Sequence, residues 1–556
     1  MKHIFALLLL LCSFGASAQT TIYYNRCDAG AHANCSTLTG SDANPGTSPS
    51  APKLSLPSND AINALAGGSN VRICNGASYV DGNAPGWLFS AAGATSTARL
   101  TVEFYDCGNG ATGRPNIQFA SGSGAGIIFG GFCVSNCPAA DHGGYVLRGL
   151  RITKSGSPGG TGITFYGSAR WVLLEDLEIV NWANGIEVTT TQNIRNLTIR
   201  GTTTCDPSIS TTSACSAAIH SNCQNGIIGS ATDYLVENVL FDSNNPASGA
   251  CGSFTLQHGT YTGGVEDQAR ITFRGNIYRN NSLTGGVCGS GNATFRGNVD
   301  QVTFENNRIE TPGANSQCIG LSVQDGYGSD AECMHRFVAR GNTIIDGGSS
   351  AMLFRITPGL LAENNRLIQL VSTGTQNGIN IANPGSQQDL DVCPAGDTVV
   401  RNNSGYYASG SGGVFVSVNA GTGHSVFNNL CDVTSGGAVN CWATAGGTFE
   451  VFDYNWTYEN GSGQYSATYA TRAAACSGAS FDCNGGTTDP LLAATPTAAA
   501  PSMAVQSGSP LRSAGRNTGK PPRDVLYCQR DSTPDIGAHE YGGTPCLTIR
   551  APTRAR

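Results

Sequence analysis

The sequence predicts an all-β chain folded as a right-handed parallel β-helix, a solenoid with an N-terminal cap and disulfide-stapled loops. Three observations predict it. A six-residue apolar–polar motif recurs through the middle of the chain. Glycine is abundant, at 74 of 556 residues, while only 12% of residues are charged. Cysteines fall in close pairs. A solenoid needs many tight turns and a narrow core assembled coil by coil, so this composition suits it better than one large globular core. Disorder is disfavoured because 40% of residues are hydrophobic and the Ile, Val, Leu and Phe among them are regularly spaced.

The chain opens with Met1-Lys2-His3, an apolar run from Ile4 to Cys12, and Ala16-Ser17-Ala18 before Gln19. A positive start, a short apolar core and a small-residue cleavage site read as a secretory signal peptide over residues 1–18. That run is too short to cross a bilayer, and no later segment reads as a membrane span. Cys12 leaves with the signal, so an even number of the 21 cysteines stays. In an exported chain this favours disulfides. The close pairs are Cys27/Cys35, Cys133/Cys137, Cys205/Cys215, Cys318/Cys333, Cys431/Cys441, Cys476/Cys483 and Cys528/Cys546, each expected to close a local loop. Zinc is disfavoured, since no Cys-x-x-Cys pair exists. The net charge of −7 argues against a nucleic-acid partner and leaves no polybasic membrane patch.

After residues 19–140, read as a cap and first coils, the hexad repeats over 141–460. Its copies begin at Leu147, Leu174, Ile194, Val236, Phe273, Phe304, Ala339, Ala362, Val400, Val426 and Val451. The shorter steps between copies match one coil, and the longer ones read as the same coil carrying a loop. Each hexad turns two or three apolar side chains inward, and one coil cannot bury them alone, so coils stack. The fourth position begins as Leu or Val and becomes Asn at Asn276, Asn307, Asn342, Asn365, Asn403 and Asn429. Stacked inward asparagines are expected to hydrogen-bond one another as a ladder, and Asn also tolerates the left-handed backbone of a bend.

This pattern resembles the pectate-lyase-like superfamily of secreted right-handed parallel β-helix proteins, over roughly residues 140 to 460. Both ends extend the resemblance. Tyr23-Tyr24 followed by Gly40-Ser41-Asp42-Ala43-Asn44-Pro45-Gly46-Thr47 looks like the opening segment of such proteins, with Pro57 to Ala66 as the cap helix. Asp489-Pro490-Leu491, Ser509-Pro510-Leu511 and Asp535-Ile536-Gly537-Ala538-His539-Glu540-Tyr541 look like their closing segment, placed within residues 461–556. Asp535, His539 and Glu540 read there as a buried structural network, because such ends recur across differing activities. The resemblance implies a polysaccharide-active protein.

Loops, rather than regular coils, carry chemistry, and the longest fall between Ile194 and Ala339. Within them Gln257-His258-Gly259-Thr260-Tyr261 places two proton-transfer groups around a flexible glycine. His258 is the candidate base and Tyr261 the candidate acid; the alternative is a histidine packed at a coil corner. Asp325, Asp330 and Glu332 suit Ca²⁺ as hard oxygen ligands, and Tyr327 on the same loop is a candidate substrate contact. The acidic residues suit equally the acid and base of a glycoside hydrolase, or ordinary solvated turn carboxylates. Arg270, Arg274, Arg296, Arg336 and Arg355 fall on neighbouring coils and suit a uronate carboxylate, with Arg274 joining the catalytic pair and Arg274, Arg296 and Arg340 expected on one face; solvated strand-face arginines are the alternative. A lysine base has only Lys154 as a candidate within the coils, and the sequence departs from the motif sets of both the lysine-based lyases and the polygalacturonases. The favoured reading is a monomeric, secreted or periplasmic lyase cleaving an acidic polysaccharide by β-elimination. The alternatives are a non-catalytic glycan-binding or surface protein and a hydrolase.

Overall fold

The computed structural model describes residues 19–26, 40–81, 86–90, 95–108, 113–130, 142–166, 169–188, 194–221, 223–242, 258–281, 283–284, 287–288, 291–310, 318–324, 333–355, 357–371, 376–382, 396–408, 413–434, 439–444, 446–459, 464–466 and 468–542. The chain winds as a parallel β-helix with three faces. One coil shows the order: Thr161–Phe165 lies on the first face, Ala169–Glu175 on the second and Glu178–Val180 on the third. The next coil repeats it with Asn184–Val188, Arg195–Arg200 and Ala217–His220, each paired in parallel with its counterpart. The right-handed winding follows from strand twist, which favours right-handed crossovers between parallel strands. The first and second faces join into one 26-stranded sheet because His258–Arg274 and Gly291–Glu305 run across both; the third face is a separate sheet of 13 strands.

Register explains the core. Ile117, Ile152, Ile179, Ile219, Phe241, Tyr278, Ile309, Ile344 and Leu367 stack in one column of the third face. On the first face the rings of Phe89, Phe129 and Phe165 stack at 5.2 and 5.0 Å between centroids. The hexad starting at Val400 ends in Gly405 instead of an apolar residue. There the ring of Phe415 fills the space that a side chain would occupy.

The asparagine ladder forms and is longer than the sequence suggests. Asn276 donates from its backbone N–H and Nδ2 to Oδ1 of Asn307, both at 3.0 Å. The same pair of bonds links Asn307 to Asn342, Asn342 to Asn365, Asn365 to Asn403 and Asn403 to Asn429. It then continues from Asn429 to Asn455 at 3.1 and 3.0 Å. Asn455 escapes the hexad count because a register irregularity at His424/Ser425 pairs Val426 with Phe452 rather than Val451. Asp482 receives the last N–H at 2.6 Å and the hydroxyl of Tyr465 at 3.0 Å. The copy starting at Ile194 is likewise out of phase: Leu174 pairs with Ile199, so the equivalent hexad begins at Ile199. The left-handed residue of the bend is the third of the hexad, as at Asn238, Asn306, Asn364, Asn402 and Asn428, and not the ladder asparagine that follows it.

The N-terminal end is covered, and the closing segment runs back along the side of the coils. The cap helix is shorter than expected, Asn59–Asn63, with Ser58 capping its N-terminus and Ile62 buried. Asn59 and Asn63, one turn apart, bond like a neighbouring strand to Gly86, Leu88 and Ser90, each contact at 2.9 Å. The edge of Trp87–Phe89 is thereby blocked against pairing with another chain. The closing segment packs Met503, Val505, Leu511 and Ile536 on Ile345, Ile368, Tyr406, Leu430 and Trp456 of the third face. It is fixed by the left-handed asparagines: Asn364 donates to Arg523 O at 2.7 Å, Asn402 to Asp535 O at 3.2 Å and Asn428 to Arg516 O at 2.9 Å. Asp535, His539 and Glu540 are all buried. Glu540 pairs with Arg530 at 2.9 Å with both side chains out of solvent, so this cluster is structural.

Disulfides join Cys205–Cys215, Cys431–Cys441 and Cys476–Cys483, as the spacing suggests, and also Cys74–Cys107, which the proximity of cysteines in the sequence misses. Such bonds persist in an oxidising compartment, outside the cytoplasm. No helix among the described residues is long and apolar enough to cross a membrane.

Candidate active site on the first face

Register brings His258, Tyr261, Thr294 and Arg296 together. Tyr261 pairs with Thr294, and Gly263 with Arg296, one coil apart. The rings of His258 and Tyr261 lie 4.9 Å apart, and the guanidinium of Arg296 sits 5.6 Å from the Tyr261 ring centroid. Gly259 lies between them within one strand, where a side chain would run into Tyr278 and Asn281.

The state of His258 follows from its partners. Its Nδ1 is 2.6 Å from Gly291 O and 3.1 Å from Thr294 Oγ1. A carbonyl only accepts, so Nδ1 carries the proton and Nε2 carries the lone pair. That Nε2 is buried and makes no hydrogen bond to the described residues. Burial pushes the imidazole down to about 4, with the charge of Arg296 acting in the same direction and the bond to Gly291 opposing it. The ring is neutral at physiological pH, with one nitrogen able to accept a proton. Sequence reading missed Gly291 and Thr294, which orient this ring, because only coil register places them beside a residue more than thirty positions earlier.

The arginines divide among three places. Arg296 and Arg355 follow the same register on the first face: Phe295 pairs with Val323 and Val323 with Phe354, which sets Arg296, Gln324 and Arg355 on successive coils. Arg270 and Arg336 stand at left-handed positions beside the start of the second face, ion-paired with Asp233 and Asp300. Arg274 lies on the second face, so it shares a column with Arg340 but not with Arg296. That column alternates in sign through Arg72, Glu103, Arg148, Glu175, Arg200, Glu237, Arg274, Glu305, Arg340, Glu363 and Arg401. Opposite charges face each other at every step, where like charges would repel. Arg274 meets Glu237 at 2.6 Å, and Glu363 is held by Arg340 and Arg401 at 2.7 and 2.6 Å. Asp325, Tyr327, Asp330 and Glu332 lie outside the described residues. Among the described residues no group of three metal-ligating side chains converges.

The fold and this site define a parallel β-helix protein with a His–Tyr–Arg cluster on one sheet face. No family model matches the chain, and no curated protein matches it. Among solved structures it is similar to a Dettilon tailspike protein, at 12% identity over 76% of this chain and 63% of that one, with a TM-score of 0.40. The chain thus spans less than two thirds of the tailspike's length. It is also similar to pectate lyase Pel9A, at 14% identity over 94% and 97% of the two chains (TM-score 0.36). A family 28 exopolygalacturonase of Yersinia enterocolitica aligns at 10% identity over 71% and 73% (TM-score 0.37). The strand pairings of the chain itself, not these likenesses, establish its fold.

Proposed function

We propose that this protein is an extracellular or periplasmic polysaccharide lyase that cleaves an acidic glycan by β-elimination on the first face. The observation that carries the reading is the state of His258: Nδ1–H is fixed on Gly291, Nε2 has a free lone pair, and Tyr261 and Arg296 stand beside it. In the proposed step Nε2 takes the proton from C5 of a uronate. The freed electron pair forms the C4–C5 double bond, the C4–O bond breaks, and the Tyr261 hydroxyl protonates the leaving oxygen. Arg296, with Arg355 two coils on, neutralises the uronate carboxylate and so makes C5 more acidic. Ca²⁺ held by Asp325, Asp330 and Glu332 would share that neutralising role. Arg274 is committed to its charge column and is assigned no part in the step. The monomer acts alone.

The test is the ultraviolet absorbance of unsaturated product from a panel of polyuronates, with and without a chelator. His258→Gln is expected to abolish the signal while leaving the fold intact. Absence of product from every polyuronate would overturn the reading. The 2% exposure of His258 favours one second reading, a non-catalytic glycan-binding β-helix. Binding of a polyuronate without turnover would establish that instead.

A further inference from the structure

We infer that a cleft at the bend between the second and third faces, roofed by the closing segment, is a second saccharide-binding site that selects an acidic sugar. It is a cavity of about 710 Å³, of the size that takes small organic ligands. Its floor carries Glu305 from the second face and Arg308 and Arg366 from the third. Its roof is Leu526 and Tyr527. It lies on a different side of the coil from His258, and the inference does not depend on the lyase reading.

Each part has a physical reason to receive a sugar. Arg308, Thr343 and Arg366 succeed one another in register. Arg308 is spoken for by Glu310 and by the carbonyl of Ala498. Among the described residues Arg366 makes one bond, to Thr343 Oγ1 at 2.6 Å, and its buried Nε has no partner. Burial and the nearby charge of Arg308 push that guanidinium down to about 10, with the carboxylate of Asp524 acting the other way. A carboxylate of the ligand would bond to the unpartnered edge of Arg366, in the paired geometry that arginine favours. Glu305 makes no hydrogen bond or ion pair with the described residues, because Arg274 turns back to Glu237 and Arg340 turns forward to Glu363. A carboxylate so placed accepts from sugar hydroxyls. Above them Leu526 is 50% exposed and Tyr527 presents a ring, and together they offer an apolar surface to the C–H face of a pyranose.

The far wall is built to stay in place. Cys205–Cys215 closes the loop that carries Pro207, and Thr204 directly precedes it. Arg279 holds the loop down by donating to Ile209 O at 2.6 Å and Pro207 O at 2.9 Å. That wall is therefore held in place, which lowers the cost of ordering a ligand.

The experiment is calorimetric titration of the full mature chain with an oligogalacturonate hexamer and, separately, with neutral cellohexaose, at low and high salt. The hexauronate is expected to bind, more weakly as salt rises, and cellohexaose to bind at least ~10-fold more weakly, as loss of a charge-assisted bond implies. Arg366→Gln is expected to weaken hexauronate binding by ~10-fold or more. Leu526→Asp, at a half-exposed position that a folded chain tolerates, is expected to do the same and carries the test if Arg366→Gln does not fold. The titrations are run in the His258→Gln background, which is expected not to turn the hexamer over. The inference is overturned if the hexauronate does not bind, or if folded Leu526→Asp binds like its parent.

Discussion

Arg274 bonds back to Glu237, Nε to Oε2 at 2.7 Å, and leaves Glu305, its neighbour one coil on, without an ion pair. The charge column of the second face is therefore broken in its middle, at a carboxylate that faces the cleft under the closing segment. The column also alternates beyond charge. Arg148, Arg274 and Arg340 are each followed by a left-handed glycine, and Glu175, Glu237, Glu305 and Glu363 by a left-handed Asp or Asn. At Gly341 a side chain would collide with the amide oxygen of Asn306. From Glu237 to Glu363 the physical repeat is thus two coils; it ends at Arg401, which is followed by the left-handed Asn402.

The two carboxylates should respond differently to neutralisation. Glu237 is buried and holds a half-exposed arginine, so Glu237→Gln is expected to destabilise the fold by ~1 kcal/mol, discounted for the solvent around Arg274. Glu305→Gln should stay within ~0.5 kcal/mol of the parent. Urea unfolding of the two variants decides, and equal losses would contradict the assignment.

Interrupting the ladder should cost far more. Asn365 donates to Ala339 O and Asn403 Oδ1 and receives two bonds from Asn342. Asn365→Leu leaves buried polar groups on both neighbouring coils without partners, at ~1–3 kcal/mol for each. Leucine occupies the equivalent place in the coils of Leu150 and Leu177 at no such penalty, because no asparagine stacks on it there. A Tm within a degree of the parent would rule this out.

Asp482 caps the ladder from a buried position, and desolvation pushes its carboxyl up to about 7. The folded chain therefore holds a proton that the unfolded chain gives up near pH 4. From this group, stability falls as pH rises from about 4 to about 7. Asp482→Asn should raise the Tm at pH 8 and lose its advantage near pH 5. A pH-independent difference would argue against a protonated cap.

His258 has the opposite sign. Its imidazole is pushed from 6.5 down to about 4, so the unfolded chain binds the extra proton first. Its contribution to stability rises between pH 4 and 6.5 and is flat above. His258→Gln should remove that rise in thermal unfolding. The proposed elimination likewise needs the free lone pair of Nε2, so its rate should fall as pH drops through about 4 and show no His258 titration near neutrality.

The sequence by itself determined the solenoid, most of the asparagine ladder, three of the described disulfides and the structural character of Asp535, His539 and Glu540. These are legible because a repeat that buries its apolar face only by stacking must print its period in the chain. The His258–Tyr261 pair was legible too, since four residues and a glycine set its reach. Only the tertiary structure decided which side chains share a column. Loops of unequal length separate the coils, and a one-residue irregularity at His424/Ser425 or a shifted copy at Ile194 moves the assignment of that coil. Arg274 and Arg296 look alike in the sequence, yet one is held in a charge column on the second face and the other lies beside Tyr261 on the first. The physical reason is that a parallel strand fixes neighbours by hydrogen-bond register between coils, and that register is set by how the loops close rather than by the hexads alone.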